Sequence, residues 1–137
     1  EKESILAATK KAEQRTTGEV RLFVESRCHF MDALDRAKEV FAQLKMEQTS
    51  ERNASLVYIA VDDRQAAVYG GEGTHEKVGQ QYWSDEIQKM LLYFQQHHLA
   101  EGIVQCINDI GEALHTYFPY DHDTDKNELP DEIVFGK

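Results

Sequence analysis

The fold is decided by residues 55–74, which read SLVYIAVDDRQAAVYGGEGT. Residues 55–61 are almost continuously apolar and rich in β-branched side chains, which is typical of a strand covered on both faces. Residues 62–65 are a polar turn, and the apolar pattern returns over residues 66–70. This order predicts a central strand and an antiparallel partner, joined as a hairpin.

The residues before this hairpin predict another strand, parallel to the central one. Residues 19–25 read EVRLFVE, with apolar side chains at alternate positions, which is the period of a strand. Residues 34–44 repeat apolar side chains every three or four positions, as an amphipathic helix does, and Asp32 is a suitable N-cap for it. A strand, a helix and a strand in this order predict parallel pairing through a right-handed crossover.

The remaining segments predict helices and one short strand. A helix is expected over residues 3–16, and a glycine-rich turn before Thr74 is expected to lead into a long helix from about His75. A last helix should end at Pro119, which cannot continue it, and residues 133–136 predict a short edge strand.

These elements together predict an α/β fold, a three-layer α/β/α sandwich with a small mixed sheet. We expect one domain, with its core in residues 1–119 and an acidic C-terminal extension, residues 120–137, that belongs to the same domain.

The charge balance argues against one large class of partners. The 137 residues include 15 basic and 25 acidic side chains, for a net charge of −10. A field of this sign repels phosphate backbones, so we expect no nucleic-acid partner. Two cysteines, Cys28 and Cys106, are expected to be free thiols.

Hydropathy predicts no membrane span. No apolar run approaches the roughly 20 residues that cross a bilayer. We therefore expect a cytoplasmic protein, and the removal of an upstream signal segment stays open as the alternative.

Several segments, in order, resemble the TPM domain family. They are Thr17-Gly18-Glu19, residues 32–46, Thr49 with Arg52-Asn53 before SLVYIAVDDR, the glycine turn with residues 75–79, and the helix around Trp83. The resemblance covers about residues 3–119. It implies an α/β/α sandwich, an association with calcium and, from a plant member, acid phosphatase activity. Many members carry a signal peptide and a transmembrane tail, so this chain resembles a stand-alone version.

The sequence departs from the family pattern at the glycine turn. The family turn usually reads Gly-Asp-x-Gly, and its aspartate falls on Gly71 here. Glu72 is a neighbouring carboxylate, and no other residue of the turn replaces the missing one. Any role that belongs to that aspartate in the family is therefore not carried over.

The strongest candidate metal site lies in the acidic extension. Residues 119–137 hold six carboxylates against two lysines, so −4 of the net charge of −10 lies there. The spacing resembles an EF-hand loop, with oxygens at positions 1, 3, 5, 7 and 12: Asp121, Asp123, Asp125, Asn127 and Glu132. Ca²⁺ and Mg²⁺ bind converging oxygen ligands, and Glu72 is expected near enough to add one. Lys126 occupies the position of the EF-hand glycine, and a solvated acidic tail is the alternative interpretation.

A second candidate metal site is expected where the two parallel strands end. Asp32, Asp62 and Asp63, with Glu25 beside them, should gather there, and ligands tend to bind beyond the carboxyl ends of parallel strands. The alternative is structural, because Asp32 can cap a helix and the Asp62-Asp63 pair can form a turn.

Two functions follow from these patterns. The first is a regulatory or partner-binding module that binds Ca²⁺ or Mg²⁺, with a protein partner that the sequence does not identify. The alternative is a metal-dependent acid phosphatase, which rests on the family resemblance alone. We assign no catalytic residue, because the sequence lacks an evident nucleophile, and its two well-placed arginines, Arg52 and Arg64, are expected at opposite ends of the sheet.

Overall fold

The apolar run forms the central strand β2, Ala54–Ala60, in the computed structural model of the chain. All seven of its residues are buried, as expected for a strand covered on both faces. The structure describes residues 2–28, 31–48, 52–96, 98–119 and 134–135. In chain order its elements are α1 (Lys2–Glu13), β1 (Glu19–Glu25), α2 (Ala33–Gln43), β2, β3 (Gln65–Gly70), α3 (Glu72–Gln95), α4 (Leu99–Tyr117) and β4 (Val134–Phe135).

The strands form one mixed sheet in the order β3-β2-β1-β4. β1 and β2 are parallel, with Glu19 opposite Ala54, and β2 and β3 are antiparallel, with Val57 opposite Val68. The predicted parallel pairing and the predicted hairpin are both confirmed. β4 adds a short parallel strand beside β1, with Val134 opposite Phe23.

Helices cover both faces of this sheet, which confirms the three-layer α/β/α sandwich. Alternate strand residues point to opposite faces, so each face buries its own set of side chains. The face under α1, α3 and α4 includes Val20, Leu22, Val57, Ile59, Trp83, Ile107, Ile110 and Leu114. The face under α2 includes Phe23, Ala37, Val40, Phe41, Leu56 and Tyr58.

α2 begins where the sequence predicts. Asp32 has an extended backbone, and its side chain accepts a hydrogen bond from the amide of Leu34, which is the geometry of an N-cap. Val40 and Phe41 lie on the buried stripe of the helix. Capping and amphipathicity together therefore account for both its start and its orientation on the sheet.

α3 differs from the predicted helix at its start and within its first turns. It begins at Glu72, so Thr74 lies inside it and does not cap it. Gly79 interrupts the helical backbone with φ 79° and ψ 167°. A Cβ at Gly79 would have no atom within 4 Å, so the glycine is needed for its positive φ and not for space.

The end of α4 returns to the start of β1. Thr16 and Pro119 form an isolated antiparallel bridge, and the amide of Thr17 donates to the carbonyl of Phe118 at 3.1 Å. α1 ends at Glu13, three residues before the predicted boundary, so Thr16 and Thr17 lie outside the helix and make these bonds. Within the described residues, no helix is long and apolar enough to span a membrane.

Candidate functional site

The carboxyl ends of β1 and β2 are joined by backbone hydrogen bonds. The amide of Val61 donates to the carbonyl of Glu25 at 2.9 Å, and the amide of Asp62 donates to the carbonyl of Ser26 at 2.8 Å. These bonds extend the parallel ladder beyond the two strands. The turn with Asp62 and Asp63 therefore lies beside the loop that follows β1, as the topology predicts.

Glu25, the last residue of β1, is fully engaged by protein groups. Its carboxylate accepts hydrogen bonds from Arg36 Nε at 2.8 Å and Arg36 Nη2 at 3.0 Å, and the Tyr58 hydroxyl also donates to it. The bond to Glu25 raises the pKa of Arg36, and burial, followed by the bond to Glu25, raises the pKa of Tyr58. This bidentate pair attaches α2 to β1, so the role of Glu25 is structural.

Two of the three predicted metal ligands at this end also have structural partners. Asp63 Oδ2 accepts a hydrogen bond from the amide of Cys28 at 2.8 Å, and Asp32 Oδ1 accepts one from the amide of Leu34 at 3.1 Å. Burial raises the pKa of the Cys28 thiol, and the charges of Glu25, Asp63 and Asp32 raise it further. The negative charges of all three carboxylates therefore act on Cys28. The hydrogen bonds of Asp63 and Asp32 to backbone amides stabilise the local fold.

The described part of the chain presents no assembled metal site at Asp32, Asp62 and Asp63. No set of three or more His, Cys, Asp or Glu side chains there has the arrangement of a metal centre. Cys28 and Cys106 are both buried and free, as the sequence predicts.

Glu72, the predicted additional ligand, pairs with an arginine at the opposite end of the sheet. Arg52 Nη1 donates to Glu72 Oε2 at 2.7 Å, and both side chains are exposed. Glu47 Oε1 accepts a hydrogen bond from the amide of Glu72 at 3.2 Å. A cation at Glu72 would therefore compete with an exposed ion pair, which contributes little to stability.

The main predicted ligands, Asp121, Asp123, Asp125, Asn127 and Glu132, lie outside the described residues. The described residues on either side of them pair with other parts of the chain. Pro119 bridges Thr16 at the start of β1, and Val134 pairs with Phe23 near its end. Asn53 Nδ2 donates to Thr17 Oγ1 at 3.2 Å, so the segment leaves α4 close to Asn53, at the same end of the sheet as the glycine turn.

The structure shows a third acidic group, between α3 and α4, that the sequence interpretation missed. The Glu86 side chain is only 4% exposed, and Lys89 Nζ lies 3.3 Å from Glu86 Oε1 and 3.6 Å from Asp109 Oδ2. Burial, a hydrogen bond to Asp109 and the negative charge of Asp109 raise the pKa of Glu86 to about 7. Tyr82 also belongs to this contact, because its hydroxyl donates to the carbonyl of Asp109 at 2.7 Å.

A signal for this group was available in the sequence. Glu86 lies three residues after Trp83 and four before Met90, so it occupies the same helical stripe as two apolar residues that the structure buries. A charge within an apolar stripe indicates a buried carboxylate.

Arg52 and Arg64 lie at opposite ends of the hairpin, as predicted. Arg52 precedes β2 and pairs with Glu72, whereas Arg64 belongs to the turn between β2 and β3. Both have a positive φ of 51°. Their separation means that they do not form a common clamp for a phosphate group.

These features define an α/β/α domain with acidic groups at both ends of a mixed sheet. The chain belongs to the TPM domain family, which it matches over residues 1–113. The residues that resembled this family in the sequence therefore identified it correctly. No curated protein matches the chain.

Solved structures have the same fold. The chain is similar to the BA42 protein from the psychrophilic bacterium Bizionia argentinensis, known from NMR, with 36% identity and a TM-score of 0.89 over 98% of this chain and 92% of that one. It shares its fold with an N-terminal domain from P. gingivalis, with 15% identity and a TM-score of 0.70 over 85% of this chain and 76% of that one. It likewise shares its fold with the N-terminal domain of the cg2496 protein from Corynebacterium glutamicum, with 12% identity and a TM-score of 0.64 over 82% and 70% of the two chains.

Proposed function

We propose that this TPM domain binds a divalent cation, Ca²⁺ or Mg²⁺, and that the bound ion orders a surface which a protein partner recognises. The observation that carries this proposal is that the described residues on both sides of the acidic segment pair with β1 or with the residues just before it: Pro119 bridges Thr16, and Val134 pairs with Phe23. Residues 119–137 carry a net charge of −4, and a bound cation would offset the repulsion among their carboxylates.

The length of the segment leaves room for a loop. Residues 120–133 number fourteen and connect the two attachment points. Fourteen extended residues reach about 46–50 Å, whereas the seven residues of β1 span only about 23 Å. The surplus allows Asp121, Asp123, Asp125, Asn127 and Glu132 to converge on one ion.

The other candidate ligands have lesser roles in this proposal. Glu72 would join the coordination shell only by leaving Arg52, which holds it at 2.7 Å. Asp32, Asp62 and Asp63 remain the second proposed location, supported by the overlap of carboxylate charge at Cys28. Asp32 and Asp63 already bond backbone amides, so binding there would compete with these bonds.

The alternative function, a metal-dependent acid phosphatase, has less support. Phosphoryl transfer needs metals and cationic side chains that act on one phosphate group. Arg52 pairs with Glu72, and Arg64 lies at the other end of β2. We expect no substantial hydrolysis of phosphomonoesters, a result that assays with a purified preparation and an Asp62→Asn variant can check.

The test is a Ca²⁺ titration followed by amide chemical shifts and by the melting temperature. At a hundredfold excess over Kd, binding to the folded form alone should stabilise the domain by about 2.7 kcal/mol. We expect Kd no tighter than about 10⁻⁷–10⁻⁵ M, because Lys126 occupies the position of the EF-hand glycine.

Two paired substitutions locate the site. Asp121→Asn with Asp123→Asn should remove the Ca²⁺-dependent rise in melting temperature and leave the metal-free value nearly unchanged. Asp62→Asn with Asp63→Asn is the matched control at the other end of the sheet and should keep the rise. The reverse result would place the ion at the ends of β1 and β2, and a wild-type domain without any Ca²⁺ or Mg²⁺ response would refute the proposal.

A further inference from the structure

Glu86 is a buried carboxylate with fewer donors than its burial requires. Its side chain is 4% exposed, and Lys89 Nζ lies 3.3 Å from its Oε1. Among the residues that the structure describes, no donor reaches its other oxygen, Oε2, which is also buried. Glu86 does bond the carboxyl of Asp109, but two carboxylates are both acceptors, so this bond needs a proton. When both groups are ionised, Glu86 therefore lacks a donor.

Glu25 shows what this domain supplies to an equally buried carboxylate. Its side chain is also 4% exposed, and Arg36 donates to it through Nε at 2.8 Å and Nη2 at 3.0 Å. The hydroxyl of Tyr58 donates to it as well. In the described part of the chain, no arginine pairs with Glu86. Because a buried carboxylate needs several donors, the group that Glu86 lacks is a guanidinium of the kind that Arg36 provides.

A cavity of about 320 Å³ lies beside Glu86 and is open to solvent. Its lining includes Tyr82, Glu86, Lys89, Asp109, Glu112 and Thr116. Lys89 marks the route into it, because its side chain is 58% exposed and its Nζ still lies 3.3 Å from Glu86 Oε1 and 3.6 Å from Asp109 Oδ2. A cationic group that enters from solvent can therefore contact the same two oxygens once Lys89 has turned away.

Lys89 occupies this position weakly. Its Nζ lies 3.6 Å from Asp109 Oδ2, beyond hydrogen-bond distance, and an exposed ion pair contributes little to stability. The other oxygen of Asp109, Oδ1, accepts a hydrogen bond from Gln105 Nε2 at 2.9 Å. Glu112, at the rim, pairs with Arg15. The cavity therefore contains two carboxylates that share one easily displaced cation.

We propose that this cavity binds the guanidinium group of an arginine side chain from a protein partner, which displaces Lys89 and bridges Glu86 and Asp109. A guanidinium has five N–H donors in a planar fork, so it can donate to both carboxylates at once. The rim side chains of Lys89 and Glu112 are 58% and 62% exposed, so the shallow cavity fits the end of one side chain better than a whole free ligand. The net charge of −10 also favours a basic partner.

Protonation competes with this ligand, because the guanidinium needs both carboxylates ionised. Burial, followed by a hydrogen bond to Asp109, raises the pKa of Glu86 to about 7. The proton is therefore bound below this pH and lost above it, and arginine binds the form that has lost it. We expect binding to be about tenfold weaker at pH 6 than at pH 8.

The other titratable groups around this carboxyl keep one charge state between these values. Burial raises the pKa of Tyr82 on α3 and of Cys106 on α4, so both stay neutral. The charge of the neighbouring carboxylate raises the pKa of Lys89, which stays cationic. A hydrogen bond from Arg15 lowers the pKa of Glu112, which stays anionic. The expected pH dependence therefore comes from the carboxyl that the ligand contacts.

The experiment titrates an acetylated and amidated Ala-Arg-Ala peptide into the whole ¹⁵N-labelled chain, without added metal and with a chelator present. This condition separates the outcome from Ca²⁺ or Mg²⁺ binding. At pH 8 we expect the amide signals of Glu86, Lys89 and Asp109 to shift together. The same peptide with citrulline in place of arginine keeps the shape and loses the charge, so it should bind at least about tenfold more weakly.

Matched variants locate the site. Lys89→Arg places a tethered guanidinium in the cavity and should weaken peptide binding at least about tenfold, whereas Lys77→Arg, at an exposed position of α3, should leave it unchanged. Asp109→Asn removes one carboxylate and should weaken binding at least about tenfold, with a urea denaturation curve to verify that the variant is folded.

Four results would each overturn the proposal. They are the absence of any shift at Glu86 and Asp109, equal binding of the arginine and citrulline peptides, unchanged binding to Lys89→Arg, and equal affinity at pH 6 and pH 8. Tighter binding of free arginine than of the peptide would likewise overturn it, because the ligand would then be a small molecule and not a protein partner.

Discussion

Two buried glutamates, Glu25 and Glu86, show how the same side chain acquires opposite properties in one domain. Each carboxylate is 4% exposed. Glu25 faces the fixed guanidinium of Arg36 and the hydroxyl of Tyr58, so its negative charge is matched by donors. Glu86 faces another carboxylate, Asp109, and its cation, Lys89, has a side chain that is 58% exposed.

The difference shows that the neighbours of a buried carboxylate decide its role. Arg36 of α2 and Tyr58 of β2 both donate to Glu25, which therefore attaches α2 to the sheet. The ionised form of Glu25 accepts these hydrogen bonds best. A second carboxylate beside Glu86 favours a shared proton, so the charge of the α3–α4 contact depends on pH. Glu25 therefore stabilises the scaffold, whereas Glu86 belongs to the proposed arginine site, and neither belongs to the proposed Ca²⁺ or Mg²⁺ site.

The largest expected effect comes from breaking the Glu25 pair. Glu25→Gln leaves the guanidinium of Arg36 without its bidentate carboxylate, so we expect the free energy of unfolding to fall by about 3 kcal/mol. Urea denaturation at pH 7 measures it. Glu39→Gln is the control, because Glu39 also contacts Arg36 but is exposed, and its loss should cost less than about 1 kcal/mol. Equal costs for the two variants would contradict the structural role of Glu25.

The next largest expected effect is a pH dependence of the free energy of unfolding, caused by Glu86. Its pKa is raised from 4.5 to about 7, so the folded chain binds more protons than the unfolded chain between these values. The stabilisation that this proton provides is present below pH 4.5 and is lost as pH rises through about 7. Between pH 5 and pH 8, Glu86 should therefore reduce the free energy of unfolding by roughly 2–3 kcal/mol.

A comparison of variants isolates the pH-dependent contribution of Glu86 to the free energy of unfolding. Glu86→Gln removes the titration, so the difference in unfolding free energy between wild type and variant should change by roughly 2–3 kcal/mol from pH 5 to pH 8, in favour of the variant at pH 8. Glu76→Gln, an exposed position on α3, should show a constant difference. A constant difference for Glu86→Gln as well would mean that the carboxyl does not retain its proton on folding.

The smallest effect tests the cation beside Glu86. The charge of Lys89 lowers the pKa of Glu86, so Lys89→Met should raise it further. A ¹³C NMR titration of the Glu86 carboxyl carbon measures the change, with Lys77→Met as the control on α3. Because Lys89 is mostly exposed, stability at pH 8 should change by less than about 1 kcal/mol. A fall in the pKa of Glu86 would show that Lys89 does not act on it.

Much of the fold was predictable because its signals are local. The buried run of β2, the hairpin and the cap at Asp32 each depend on residues within a few positions of one another. Gly79 was not predictable, because the apolar stripe of α3 continues past it and a glycine is tolerated in a helix. The candidate metal ligands remain predictions, since periodicity places Asp62 and Asp63 at a strand end but says nothing of which groups their oxygens bond.

By itself, the sequence determined the family, the order of the elements and the faces that are buried, because hydrophobic periodicity and capping act over short stretches of chain. Only the tertiary structure decided which charged side chains are buried and which of them pair. Arg36 reaches Glu25 across 11 positions, and Arg52 reaches Glu72 across 20. The energy of a charge depends on its burial and its neighbours, so it follows from packing.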